Sequence, residues 1–208
     1  MKLEQLFCTE ILNIPGSPEF LAGLEQIKSD ILSIKNEGIL GDEGKSVRNG
    51  WRLNNPHKHE KLVLMKNYLD FIFVNIIKFH KLPTEIDYGM TTWLNLHESG
   101  GFNTLHSHGD ALFSGVLYLS APEGSGALKF RDPRPGAMFM RRPDSSVQSQ
   151  QYKNHQKIFP PVIAVKEPRE GHCIVFPGWL EHYVEPSEAH SQDNPRISVA
   201  FNFSPQWK

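Results

Sequence analysis

Residues 91–120 read TTWLNLHESGGFNTLHSHGDALFSGVLYLS, and this stretch decides the fold. Two runs rich in branched and aromatic side chains, TTWLNLHE (91–98) and ALFSGVLYLS (111–120), are separated by the Glu98-Ser99-Gly100-Gly101 turn and a polar segment with two histidines. Branched and aromatic residues suit a pleated, half-buried surface, and glycine pairs punctuate it, so the runs read as strands. The same pattern recurs downstream in GALKF (126–130), PPVIAVKEP (160–168), GHCIVFP (171–177) and RISVAFNF (196–203). Short strands spaced by turns predict a sandwich or jelly-roll barrel.

Upstream the period changes. From the Ser17-Pro18-Glu19 opening to about Lys35, Phe20, Leu24, Ile27, Ile31 and Ile34 recur at steps of three and four, which predicts an amphipathic helix capped by Ser17. Gly38–Pro56 is rich in glycine, asparagine and charge and reads as a loop anchored by Trp51. A second helix is expected from about His57 to His80, with Leu62, Met65, Leu69, Phe73, Ile76 and Ile77 on one face and Pro83 as its stop. The fold class is therefore mainly β with flanking helices (α+β), in one domain over 1–208: a helical cover over 1–90 and a jelly-roll core over 91–208. Asp132–Lys157 has no clean period and is long for a barrel connection, so a mobile lid or functional loop is expected there.

Composition narrows the function classes. With 22 Lys and Arg against 23 Asp and Glu, the formal net charge of -1 argues against nucleic-acid binding through phosphate contacts. Sixteen glycines, fifteen prolines and thirteen phenylalanines favour turns and strands over a helical bundle. Two cysteines, Cys8 and Cys173, make neither a disulfide framework nor a cysteine zinc site. The N-terminal MKLEQLFCTEILNIPG lacks the apolar core of a signal peptide, and the longest apolar stretch, Leu69–Phe79, is too short and too polar to span a bilayer. A cytoplasmic protein with no membrane partner is expected, and homo-oligomerisation stays open.

The chemistry sits in Leu105-His106-Ser107-His108-Gly109-Asp110. Residues i and i+2 of a strand share a face, so His106 and His108 can point inward together, as can Asp110 if the strand continues. A third ligand must come from far along the chain, and His182 in FPGWLEH (176–182) follows a strand that ends in a turn. Imidazoles and a carboxylate with coordination positions left open are the ligand set of non-heme Fe(II) oxygenases. Fourteen residues on, Arg196-Ile197-Ser198 places a guanidinium and a hydroxyl on one face of a strand, suited to the far carboxylate of a 2-oxo dicarboxylic acid.

The order of turn, HxH or HxD, strand, distal histidine and R-x-S resembles the 2-oxoglutarate and Fe(II)-dependent oxygenase superfamily. More narrowly, HSHGDALFSGVLYLSAPEGSGALKFRDPR with FPGWLEHYVEP and RISVAFN is similar to a family of such oxygenases known mostly from bacteria and their phages. The resemblance covers about Trp93–Phe203. It implies a double-stranded β-helix core (jelly-roll, cupin-like), Fe(II) as cofactor, 2-oxoglutarate and O2 as co-substrates, and hydroxylation of an unidentified small molecule or protein side chain as 2-oxoglutarate becomes succinate and CO2. A metal-binding cupin-like isomerase or sensor without oxygenase activity is the alternative.

Two ligand sets stay open. Superfamily spacing from the turn glycine gives His106, His108 and His182, whereas the literal H-x-D reading replaces His106 by Asp110. The resemblance also makes Tyr118 a co-substrate contact, against the plainer reading of a core aromatic. Asn95 is placed to hydrogen-bond the co-substrate carboxylate or, equally, to satisfy backbone groups. Asp132-Pro133-Arg134 either shapes the mouth of the site or forms a salt-bridged turn, and Trp179 reads first as a packing residue. The remaining histidines, His57, His59, His80, His97, His155, His172 and His190, carry no spacing signal and read as structural or exposed.

Overall fold

The computed structural model describes residues 6–38, 46–134, 163–188 and 194–206, with Lys2 and Glu4. Within them nine strands pair antiparallel: β1 (Leu12–Ile14), β2 (Val47–Asn54), β3 (Tyr88–His106), β4 (Phe113–Ser120), β5 (Leu128–Arg131), β6 (Ile163–Lys166), β7 (Cys173–Pro177), β8 (His182–Val184) and β9 (Arg196–Pro205). Their order is β1-β7-β4-β9-β3-β8-β5-β6, with β2 also on β3.

The long strand β3 belongs to both halves of this curled sheet. Tyr88–His97 pairs with β9, while Asn103 and His106 pair with β8. Between them lies the expected turn at Glu98–Gly101, where Gly100 has φ +76° and a Cβ on Gly101 would sit 2.6 Å from the Asn49 carbonyl oxygen and 2.8 Å from His97 Cβ. β2 bends at the same level, with a register shift between Arg48 and Gly50 and Asn49 at φ 49°. Matched irregularities of this kind turn a strand from one half of a β structure into the other.

Period-two alternation sorts the side chains. On β9, Ile197, Val199, Phe201 and Phe203 join the core beneath the helices, whereas Arg196, Ser198 and Ala200 line an interior cavity. β4 and β7 do the same: Leu117, Leu119, Cys173 and Val175 face the helices, and Val116, Tyr118, Ile174 and Phe176 form the inner cluster. Helices α1 (Pro18–Ala22), α2 (Leu24–Asn36) and α3 (Val63–Phe79) close the outer side with Phe20, Ile27, Ile31, Ile34, Met65, Leu69, Ile72 and Ile76. None of the described helices is long and apolar enough to cross a membrane.

Three expectations need correction. The helix expected over 17–35 does start at Ser17, whose side chain accepts from the Phe20 N–H at 3.2 Å, but it breaks at Gly23. A Cβ there would lie 2.0 Å from Leu64 Cδ2, the tip of an exposed side chain of α3. The helix expected from His57 begins as two 3₁₀ turns, Pro56–Lys58 and Glu60–Leu62, because His59 between them is extended. Gly38–Pro56, read as a loop, carries β2; residues 39–45 lie outside the described residues. Trp51 and Leu53 of β2 pack on the helix-side core, and the glycine and asparagine content of the strand hid its alternation. The first ninety residues are thus not a purely helical cover, since β1 and β2 extend the sheet and β3 begins at Tyr88.

Of the segment expected as a lid, 135–157 lies outside the described residues. At its start the Arg134 side chain donates to Asp132 at 2.6 and 3.0 Å, the salt-bridged turn of the sequence reading.

Because the β3 corner leaves no room at Gly101, Gly101→Ala is expected to destabilise the fold by roughly 1–3 kcal/mol. Chemical denaturation would check this, and an unchanged midpoint would show that the corner tolerates a side chain.

Candidate metal centre

His106 closes β3 and His182 opens β8, and the two are directly opposite in that antiparallel pair. His108 lies two residues beyond the strand end. Its N–H donates to the Gly178 carbonyl at 2.8 Å, and its carbonyl accepts from the Ala111 N–H at 3.0 Å. Gly178 has to be glycine here, since a Cβ would approach the Ala111 oxygen to 2.2 Å and the His108 oxygen to 2.8 Å. The three rings converge, with centroids 4.4 Å (His106–His182), 5.0 Å (His106–His108) and 5.2 Å (His108–His182) apart. One ligand atom from each lies within 4.8 Å of the others, a group that could hold a metal ion.

Asp110 is outside this group. The strand ends at His106, and the His108–Ala111 turn carries Asp110 to the exposed surface, where its backbone carbonyl accepts from Ser204 Oγ at 3.0 Å. The condition for Asp110 to face inward, a continuing strand, is not met. Trp179 also departs from expectation: it is 53% exposed and is not a packing residue.

Local hydrogen bonds orient the rings. His106 Nδ1 lies 2.7 Å from the Thr104 carbonyl and His182 Nδ1 2.8 Å from the Leu180 carbonyl. A carbonyl only accepts, so each Nδ1 carries the proton and each Nε2 keeps its lone pair. His108 Nδ1 instead lies 3.3 Å from the side-chain nitrogen of Asn202. Burial pushes His182 down to about 3 and His108 to about 4, and lowers His106, with the positive charge of neighbouring imidazoles adding to the shift in His182 and His108. All three are neutral near pH 7, the form that binds metal.

The cavity beside the imidazoles contains the other predicted site residues. Asn95 pairs with Ser198 across β3 and β9, and Ser198 with Tyr118 across β9 and β4, so the three form one inward-facing row. Arg196 is the next inward residue on β9. It is 1% exposed, its Nε and Nη1 have no hydrogen-bond partner, and among the described residues it makes no ion pair. Its Cζ lies 5.5 Å from the centroid of the Tyr118 ring, whose buried hydroxyl interacts electrostatically with the guanidinium, and Asn95 Oδ1 is buried with no partner among the described residues. Burial lowers the Arg196 pKa and raises that of Tyr118. A buried cation ringed by unsatisfied donors and acceptors is costly unless an anion joins it. His97, read from sequence as structural or exposed, is fully buried opposite Arg196 on β3, and burial followed by the Arg196 charge brings it to about 3.

Sequence reasoning missed several neighbours. Trp93 lies 5.7 Å from the His108 ring and Phe176 4.6 Å from the His182 ring. Asn202 and its partner Ser114 were also missed. Parity would have found Asn202, which shares the inward face with 196, 198 and 200.

Neutral histidines carry a sign for stability. Their pKa in the unfolded chain is about 6.5, so the unfolded state takes up protons first as pH falls, and stability held above pH 6.5 is lost toward pH 4 and 3. Thermal melting of the metal-free protein is expected to be flat above about pH 6.5 and to fall between 6.5 and 5; an unchanged midpoint across that interval would contradict the burial of these rings.

Residues 91–202 match the profile of the family described as "Putative 2OG-Fe(II) oxygenase". No curated protein matches the chain. Solved structures with a similar fold include a Pseudomonas putida prolyl-4-hydroxylase, at 17% identity and TM-score 0.64 over 95% of this chain and 94% of that one. A Trichoplax adhaerens prolyl hydroxylase, in complex with a hypoxia inducible factor peptide fragment, has 11% identity and TM-score 0.63 over 93% and 83%. HygX from Streptomyces hygroscopicus, with nickel and 2-oxoglutarate bound, has 12% identity and TM-score 0.61 over 96% and 84%. At these identities the structures establish the jelly-roll fold, while the profile covers more than half of the sequence, including the three histidines, Asn95, Tyr118, Arg196 and Ser198. The chain belongs to the 2OG-Fe(II) oxygenase family, enzymes that use Fe(II) and 2-oxoglutarate.

Proposed function

We propose that this oxygenase hydroxylates its substrate at an Fe(II) held by His106, His108 and His182, with 2-oxoglutarate anchored through its distal carboxylate by Arg196 and Ser198. The observation that carries the reading is the Arg196 guanidinium, buried and, among the described residues, without an acidic partner, in the same cavity as the three imidazoles. A ligand that satisfies both ends must present a carboxylate to the arginine and metal-binding oxygens to the other side. 2-Oxoglutarate has that form. Iron and 2-oxoglutarate supply an oxidation in which O2 is consumed, 2-oxoglutarate becomes succinate and CO2, and a substrate C–H bond gains oxygen.

The side chains of the chain do the positioning. Arg196 offers two parallel N–H donors in a fixed plane, and Ser198, on the same face of β9, adds a hydroxyl. Tyr118 and Asn95 bring a buried hydroxyl and an amide oxygen to the same row, where the phenol can donate to a carboxylate. The half-buried indole of Trp93, with Arg52 Cζ 5.1 Å from its centroid, flanks His108 on the cavity wall.

Losing one of three protein ligands costs far more than losing a neighbour. His106→Ala is expected to abolish Fe(II) binding, while Asp110→Ala retains most of it; the reverse ranking would establish the H-x-D set.

For the co-substrate, Arg196→Lys keeps the charge but loses the two-pronged geometry, so 2-oxoglutarate should bind more weakly with little change in iron affinity. Arg196→Ala is expected to cost on the order of 2–5 kcal/mol in co-substrate binding, by analogy with buried charge pairs. Ser198→Ala should cost about 1 kcal/mol. Anaerobic titration of 2-oxoglutarate into the Fe(II) protein, followed by the metal-to-ligand charge-transfer band, reads these affinities; equal affinity in wild type and Arg196→Ala would remove Arg196 as the anchor.

A further inference from the structure

The three imidazoles are not held alike. The Nδ1 atoms of His106 and His182 each meet the carbonyl of the residue two positions back, an acceptor that fixes the proton on Nδ1 and leaves Nε2 free. His108 Nδ1 meets a side chain instead, the Asn202 carboxamide, whose nitrogen lies 3.3 Å away. The other end of that carboxamide, Oδ1, accepts from Ser114 Oγ at 2.9 Å. Ser114 is buried and stands directly opposite Asn202 in the β4–β9 pair, so the backbone of two neighbouring strands fixes this relay.

A carboxamide has a donor end and an acceptor end of nearly the same shape, and the two exchange when it turns over. With the nitrogen toward His108, as here, Nδ1 accepts, the proton sits on Nε2, and His108 has no lone pair at Nε2 to match the other two rings. With the oxygen toward His108, Nδ1 donates, the Asn202 nitrogen donates to Ser114 Oγ, and Nε2 is free. The Ser114 hydroxyl serves both arrangements because it can donate or accept. No net proton is gained or lost between them.

We propose that Asn202, backed by Ser114, is a positioning residue that sets which ring nitrogen of His108 carries the proton, and thereby whether the third imidazole is open to a metal ion. This rests on the reading of His108 as a ligand. It goes beyond that reading by assigning control of the ligand to β9, the strand that also carries Arg196 and Ser198.

The test measures Co(II) affinity of the full chain by calorimetry, together with the His108 tautomer in the metal-free protein by ¹⁵N NMR of the imidazoles. Asn202→Asp offers only acceptors to Nδ1, so it should bind Co(II) at least as tightly as wild type and show His108 protonated on Nδ1. Asn202→Leu has similar volume and no hydrogen bond, and should lose about 10–100-fold in affinity, the usual cost of removing a ligand's outer partner. Ser114→Ala, a smaller change that keeps Asn202 in place, should fall between them and serves if the leucine variant does not fold. Equal Co(II) affinity in the aspartate and Ser114→Ala variants, or a His108 tautomer unchanged by Asn202→Asp, would overturn the proposal. His108→Ala separates the two levels: undiminished Co(II) binding there would overturn the ligand reading and this proposal together, whereas lost binding combined with indifference to residue 202 overturns this proposal alone.

Discussion

The positive charge of Arg196, held inside the sheet with no carboxylate beside it among the described residues, is the constraint to which the other residues of the cavity respond. A guanidinium stays protonated at working pH, and removing it from water is costly unless an anion accompanies it. The fold bears this cost because the alternate residues of the same strand, Ile197, Val199, Phe201 and Phe203, are buried beneath α1–α3. Moving the strand by one register step would expose that apolar set, so the arginine cannot turn outward without loss of the core. Charge balance follows from the same point. If three neutral imidazoles hold Fe(II), its two positive charges and that of Arg196 would meet the two negative charges of 2-oxoglutarate and leave one positive charge over. A site built with a protein carboxylate would balance differently, and here Asp110 is turned away.

Bringing the two ends of the site together depends on the path of β3. Asn95 lies in the part of β3 that pairs with β9, and His106 in the part that pairs with β8, with the Glu98–Gly101 corner between them. One continuous strand therefore supplies both a residue of the inward-facing row and an imidazole of the three-histidine cluster, and the corner sets the distance between them. The close fit of Gly101 against Asn49 and His97, and of Gly178 against His108 and Ala111, fixes the two bends that orient the rings.

Much of this was legible in the sequence. The strands beyond residue 91 announced themselves through alternating branched and aromatic residues, and the separation of His106 and His108 by one residue, together with His182 and Arg196-x-Ser198, marked the cavity lining. What remained hidden depended on contacts between distant segments. β2 lacks a clean alternation because its glycine and asparagine serve the bend opposite β3. The helix break at Gly23 falls beside Leu64, some forty residues away. Whether Asp110 faces inward turns on where a strand ends, which a hydrogen bond from Ala111 decides. His97 and Asn202 carry no motif; parity along β3 and β9 places them, and only the pairing of the strands shows what they meet.

The central claim is that one ligand bridges the buried arginine and the three imidazoles. An anaerobic crystal structure of the Fe(II) protein with 2-oxoglutarate tests it most directly. The account predicts iron on nitrogens of His106, His108 and His182, the distal carboxylate of 2-oxoglutarate on Arg196 and Ser198, and Asp110 away from the metal. A 2-oxoglutarate bound with its distal carboxylate elsewhere and Arg196 still unpaired, or iron coordinated by Asp110 in place of His106, would contradict it.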